Sequence, residues 1–335
     1  MLETLPFTPG VEARTRSIYQ RLARVVPAAE WPLYAPYVDA INALKREKNA
    51  VILAHNYQTP EIFHGVADIV GDSLQLAREA ERAEADVIVV CGVHFMGETA
   101  KILNPNRTVL VPDKSAGCSL AESITGADVQ ALRAQHPGVP IVTYVNTSAE
   151  VKAESDICCT SAHAVKIVES LGVPRVIMIP DEFLAQYVAA NTKVEIITWK
   201  GHCEVHERFS GMDVARLRED DAGIVVLAHP ECPPDVIAAA DYAGSTAGMI
   251  DYVRTHPAER VMLLTECSMS DNVAVEFPNV EFVRPCNLCP HMRRNTLPKI
   301  LRSLQTMTDE ILVDPAVIAG ARRSLQAMID VTSPR

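Results

Sequence analysis

The sequence predicts an α/β protein built from three pseudo-repeated three-layer αβα domains, with parallel sheets around an approximate threefold axis. Continuous β-branched runs such as Val87-Ile88-Val89-Val90, Val176-Ile177-Met178-Ile179 and Val261-Met262-Leu263-Leu264 alternate with helical patterns, as expected of parallel strands covered on both faces. The alternation recurs three times in one register. Each copy also reaches a cysteine at the same place: counting nine residues from Val109, Val194 and Val280 lands on Cys118, Cys203 and Cys289.

Taken in order, residues 1–35 carry Pro6, Pro9, Pro27 and Pro32 around an amphipathic run from Arg14 to Leu22, and read as an N-terminal arm outside the repeat. Lobe 1 spans 36–125, lobe 2 126–210 and lobe 3 211–297, with the tail 298–335 expected to close the first lobe. Helical runs begin at Asp39, Asp128 and Asp213, and sixteen residues on, at the ends of the first strands, stand His55, Tyr144 and His229. Asp68, Asp156 and Asp241 follow, then the hydroxyl-bearing Ser73, Ser161 and Thr246, each expected to cap a helix. Second strands and helices lead to the third strands, Thr108–Val111, Val194–Ile197 and Val280–Val283, and to the cysteine loops. The tail ends in a helix opened by Asp314-Pro315, a capping residue followed by a first-turn proline.

With 335 residues and 48% apolar content, the chain can bury ample core. The opening Met1–Phe7 lacks the basic-then-apolar pattern of a leader, and no apolar run reaches membrane-spanning length, so a cytoplasmic protein is expected. A net charge of -11 and 5% aromatic residues argue against a nucleic-acid platform, which needs a basic face and stacking side chains. Nine cysteines are too sparse for a disulfide scaffold, leaving core residues, metal ligands or reactive thiols.

In a parallel sheet the ligand-bearing loops leave the carboxyl ends of the strands. His55, Tyr144, His229 and the three cysteines therefore share one edge of each lobe, and Tyr57, Asn146 and Glu231 follow two residues later. Three converging thiolates could bind zinc, though structural zinc wants four ligands and only Cys286 and Cys289 have the paired spacing. One ligand per lobe fits instead a [4Fe–4S] cluster with one iron open to substrate. Helix N-termini beside Ser73, Ser161 and Thr246 would favour carboxylate or phosphate. His206 would face the same way as Cys203, a surface or core role standing equally open.

The motifs Ala54-His55-Asn56-Tyr57-Gln58, Gly71-Asp72-Ser73, Phe95-Met96-Gly97-Glu98-Thr99-Ala100-Lys101, Tyr144-Val145-Asn146-Thr147, Cys159-Thr160-Ser161-Ala162, Gly201-His202-Cys203, His229-Pro230-Glu231-Cys232, Gly244-Ser245-Thr246 and Cys289-Pro290-His291-Met292 resemble, in this order, those of the quinolinate synthase family. The resemblance, from about Tyr37 to Leu297, implies condensation of iminosuccinate (iminoaspartate) with dihydroxyacetone phosphate to quinolinate in de novo NAD synthesis. It implies one [4Fe–4S] cluster per chain on Cys118, Cys203 and Cys289, and substrate binding by His55, Ser73, Tyr144, Asn146, Ser161, His229, Glu231 and Thr246. Proton transfer would fall to Tyr57 and Glu231, with His229 assisting. Whether L-aspartate oxidase is a transient partner handing over iminosuccinate stays open, as does any redox pairing of Cys286 with Cys289. A structural zinc protein using Cys286, Cys289, Cys203 and a histidine, and a cluster-bearing hydro-lyase, are the alternatives.

Overall fold

The computed structural model describes residues 5–333; Met1–Thr4, part of the stretch read for a leader, lie outside them. The first sheet is formed by β1 (Ala50–His55), β2 (Ile69–Gly71), β3 (Val87–Cys91) and β4 (Thr108–Leu110), in the order β2-β1-β3-β4. The second comprises β5 (Ile141–Tyr144), β6 (Ile157–Cys159), β7 (Arg175–Ile179) and β8 (Glu195–Thr198), and the third β9 (Val225–Ala228), β10 (Tyr242–Ala243), β11 (Arg260–Leu264) and β12 (Glu281–Val283). Their orders, β6-β5-β7-β8 and β10-β9-β11-β12, repeat the first. Helices interleave throughout. In chain order they are α1 (Pro9–Leu22), α2 (Trp31–Glu47), α3 (Pro60–Phe63), α4 (Ser73–Arg82), α5 (His94–Leu103), α6 (Ser119–Glu122), α7 (Gly126–Gln135), α8 (Ala149–Glu154), α9 (Ala164–Ser170), α10 (Glu182–Ala190), α11 (Gly211–Asp220), α12 (Pro234–Ala239), α13 (Thr246–Thr255), α14 (Ser268–Glu276), α15 (Leu297–Thr306) and α16 (Pro315–Thr332). The predicted αβα lobes are therefore present, with one addition. Each sheet gains a short strand, β2, β6 or β10, whose two or three residues are too few to carry a periodic signal.

Those extra strands explain the recurring aspartates. Asp68, Asp156 and Asp241 each stand just before the short strand and accept from a first-strand amide, Ile52, Ile141 or Val226, at 2.8, 2.7 and 2.8 Å. Their own amides donate back to the carbonyl of the same residue. Lys45, Arg133 and Arg218, from the preceding helix, pair with the three carboxylates. The aspartates repeat because the sheet edge does. Theirs is a structural role.

The chain forms two compact units. One comprises the described residues up to Ala116 together with Glu266–Ile311; the other comprises Gly117–Thr265 and the described residues from Leu312. In the first unit, Val11, Leu22, Val26 and Trp31 are buried in one core with Ile52, Val89 and Leu110. The stretch read as an arm outside the repeat packs into this unit, because α1 and the start of α2 each present an apolar face to it. The tail also departs from expectation. α15 packs on α2, but α16 lies on α8, α9 and β6 of the second unit, where its Ser324 hydroxyl donates to the Lys152 carbonyl at 2.8 Å.

Two of the three expected caps move by one residue. Asp72 and Ser245 accept the capping bonds of α4 and α13, which makes Ser73 and Thr246 first-turn residues. Ser161 lies in a turn three residues before α9, whose capping position, His163, makes no side-chain capping bond. A cap already supplied by the preceding Asp or Ser leaves the Ser73 and Thr246 hydroxyls unneeded for the helix end.

Candidate active site

The cysteines separate by environment. Seven are outside any disulfide: Cys118, Cys203 and Cys289 are partly open, whereas Cys91, Cys158, Cys159 and Cys232 are buried. Cys267 and Cys286 form a disulfide. The oxidation partner of Cys286 is therefore Cys267 rather than Cys289, and the paired-cysteine zinc motif loses one of its thiols.

The three loops are pinned alike. At the start of the helix after each second strand, one backbone amide donates to the carbonyl two residues before the cysteine: His94 to Ala116 at 2.7 Å, Glu182 to Gly201 at 2.9 Å and Cys267 to Asn287 at 3.0 Å. Equivalent sequence positions thus have equivalent anchorage. Cys118 and Cys203 in the second unit and Cys289 in the first thus share one backbone setting.

Within the second unit, the Cys118 and Cys203 loops are stitched together. The Ser119 hydroxyl donates to the His202 carbonyl at 3.0 Å and accepts from the Glu204 amide at 3.1 Å. Burial, with Glu231 and Cys118 nearby, pushes the Cys203 thiol up; binding a metal would reverse that by favouring the thiolate.

A polar chain runs from Cys203 into the strand ends of the same unit. His206 Nδ1 lies 3.1 Å from Cys203 Sγ and 2.9 Å from Glu231 Oε2, while its Nε2 lies 2.9 Å from the Thr265 hydroxyl. The Tyr144 hydroxyl donates to Glu231 Oε1 at 2.6 Å. His229 stacks on His206 with ring centres 4.8 Å apart. Burial alone would raise the Glu231 carboxyl, but His229, His206 and Tyr144 together hold it well below the usual carboxylate range. Glu231 is therefore ionised at neutral pH, with donors on both oxygens.

The two strand-end histidines share a local device. The Glu231 amide donates to His229 Nδ1 at 3.3 Å, and in the first unit the Tyr57 amide donates to His55 Nδ1 at 3.2 Å. With Nδ1 accepting, the neutral ring carries its proton on Nε2. His229 Nε2 lies 3.1 Å from the Ser161 hydroxyl. The Tyr57 ring meets His55 edge-on at 4.6 Å. Asn146 Oδ1 is buried without a hydrogen-bond partner among the described residues, a cost removed when a ligand supplies a donor.

Tyr144, Ser161, His229 and Glu231 are thus in contact with one another or through one another, and His206 joins them to Cys203. Asn146 and Thr246 belong to the same unit; His55, Tyr57, Ser73 and Cys289 belong to the other. Two carboxylates were missed in the sequence reading. Asp181 and Glu266 follow Val176 and Val261 by five residues, as Gly92 follows Val87, so the repeat register contained the signal. Asp181 accepts from the amides of Phe183 and Leu184, and burial close to Glu231 pushes its carboxyl up. Burial also raises the Glu266 carboxyl, to about 7.

A family model described as quinolinate synthetase A protein matches residues 39–330. The chain belongs to that family. It is 64% identical over 314 residues to quinolinate synthase 2 of Mesorhizobium japonicum, covering 94% of this chain and 97% of the relative. It is 64% identical over 324 residues to quinolinate synthase of Agrobacterium fabrum, covering 97% and 94%. A quinolinate synthase of Xylella fastidiosa is 66% identical over 294 residues, or 88% of this chain and 87% of that one. Among the described residues, no helix of this family member is long and apolar enough to cross a membrane.

Proposed function

We propose that the chain is a quinolinate synthase that condenses iminosuccinate with dihydroxyacetone phosphate, releasing phosphate and water, in the cytoplasmic synthesis of NAD. Family membership supports the activity. The observation that carries the site is the repeated amide-to-carbonyl bond two residues before Cys118, Cys203 and Cys289, which gives one thiol per lobe the same setting. These three would hold one [4Fe–4S] cluster. When bound, such a cluster supplies Lewis acidity from the iron that has no protein ligand.

The side chains supply binding and proton transfer. Nε2–H of His55 and His229, the hydroxyls of Ser73, Ser161 and Thr246, Tyr144 and the Asn146 amide suit the carboxylates and phosphate of the two substrates. Glu231, ionised between Tyr144 and His206, takes a proton from the condensing carbon or nitrogen. Tyr57 and His229 return protons to departing oxygen. Successive dehydrations need such an acid and base pair, each worth roughly 10²–10⁴-fold.

Cys203, His206 and Glu231 also offer sulfur, nitrogen and oxygen atoms within 4.8 Å of one another, which favours a second reading, a mononuclear metal site. It has three donors, one fewer than structural zinc normally takes. Anaerobic purification with iron, sulfide and zinc analysis separates the two. About four irons per chain, lost in Cys118→Ala, Cys203→Ala and Cys289→Ala but kept in Cys286→Ala, is expected, followed by quinolinate formation only when both substrates are supplied. One zinc per chain, lost in His206→Ala, would establish the mononuclear site instead. Dehydration of a dicarboxylate without any need for dihydroxyacetone phosphate would point to a hydro-lyase.

A further inference from the structure

Glu266 is a buried carboxylate, 1% exposed, with no part in the chemistry above. An isolated carboxylate is an expensive group to bury, and its geometry shows where it is used. Its Oε2 accepts from the Ser268 amide at 2.7 Å; its Oε1 accepts from the Cys289 amide at 3.2 Å and from the Ser268 hydroxyl at 3.4 Å. The carboxylate thus bridges the start of α14 and the peptide of one candidate ligand.

The surrounding contacts all serve the same junction within the first unit. Cys267 donates its amide to the Asn287 carbonyl and is disulfide-bonded to Cys286. Asp271 pairs with Arg284 at 2.7 Å. Residues 284–289 are therefore tied at four places to residues 266–271. Of these four ties, the Glu266 bond is the one made to Cys289 itself. The Cys289 N–H is turned to the carboxylate, while the Met292 N–H approaches Cys289 Sγ at 3.5 Å. Hydrogen bonds to ligand sulfurs are among the groups that tune an iron–sulfur centre.

We infer that Glu266 is a positioning residue for Cys289, setting the orientation of this ligand's peptide and the hydrogen bonding of its sulfur. The inference rests on the proposed cluster, but its first consequence does not need iron. Gln has a single carbonyl oxygen and cannot take both oxygens' acceptor roles, and Ala takes neither.

The test begins with the iron-free protein. Alkylation of Cys289 by iodoacetamide, followed by mass spectrometry, should be about threefold to tenfold faster in Glu266→Ala than in the unaltered chain, and intermediate in Glu266→Gln, with Cys118 and Cys203 unchanged as internal controls. The reconstituted proteins should lose iron to a chelator faster in the same order, and the reduced cluster's electron paramagnetic resonance signature should shift in Glu266→Gln. If both variants match the unaltered chain in Cys289 labelling, iron loss and resonance, the positioning role is wrong. Equal acceleration at all three cysteines would mean general loosening and would also overturn it. Cys267→Ser with Cys286→Ser supplies a separate comparison: it frees the same loop without altering the carboxylate bond, so the resonance signature should stay unshifted. A protein that takes up no iron would remove the cluster reading, while the labelling order still decides whether Glu266 holds Cys289.

Discussion

His64 shows how one side chain can set the acid limit of a unit. Its Nε2 lies 3.3 Å from the Asn272 carbonyl, its ring meets Phe63, and the Arg21 guanidinium donates to its backbone carbonyl. Burial above all, with the nearby Arg21 charge, brings its pKa down to about 4. The unfolded chain takes up this proton near pH 6.5, so the neutral ring's contribution is complete above pH 6.5 and is lost as pH falls through 4. After allowing for the ring's residual exposure, the loss is on the order of 2 kcal/mol. Urea midpoints measured from pH 7 to pH 4 should fall less steeply in His64→Gln; parallel curves would assign the acid sensitivity to other groups. The same scale separates the two histidines beside Glu231. His229 was legible as a strand-end residue in register. His206 was only one of two open readings, because a spacing of three after Cys203 does not say whether a turn will follow; it does, and the ring bridges Cys203 and Glu231.

Among the elements, the cysteine loops depend on close backbone approach. Gly201 lies between Pro180, whose carbonyl accepts its amide at 3.1 Å, and α10, whose first amide it accepts at 2.9 Å. A Cβ there would collide with the Pro180 carbonyl and the Ser123 side chain. Backbone cannot step aside as a flexible side chain can, so Gly201→Ala should destabilise the second unit by about 1–3 kcal/mol, seen as a lower urea midpoint. It should also displace the Cys203 loop and reduce bound iron; an unchanged midpoint with full iron would show that the loop adjusts freely. Continuous apolar strands such as β3, and β7 and β11 beyond their opening arginines, were legible because those residues are apolar and buried. The short strands β2, β6 and β10 were not, since their pairing is decided by neighbours rather than by their own pattern. Helix caps shifted by one residue for a similar reason: Asp72 and Ser73, or Ser245 and Thr246, are all acceptable caps in isolation, and the backbone conformation at the helix entry selects between them.

At the scale of the molecule, the last helix completes a unit that begins nearly two hundred residues earlier. Ala321, Leu325 and Met328 of α16 are fully buried, and the Cys158 thiol meets the Ser324 hydroxyl at 3.4 Å. Removing α16 would bare α8 and β6, at roughly 1.5–3 kcal/mol for each of Leu325 and Met328. A chain ending at Val313 should therefore melt at lower temperature and accumulate in the insoluble fraction, with intrinsic fluorescence and differential scanning calorimetry as the measures. A truncated chain with unchanged melting would make α16 dispensable.

The sequence by itself determined the threefold repeat, the three principal strands of each lobe, the cysteine register and the family, since each rests on residues whose chemistry and spacing hold wherever the chain goes. Tertiary structure alone decided that α16 belongs to the second unit, that Cys286 pairs with Cys267, that the recurring aspartates brace sheet edges, and that His206 lies against Glu231. Those outcomes depend on which distant residues share a boundary, and spacing along a chain carries no such information. Asp181 and Glu266 fall between the two cases. Their register was readable, but only packing makes them buried carboxylates, and only the fold turns Glu266 towards the amide of Cys289.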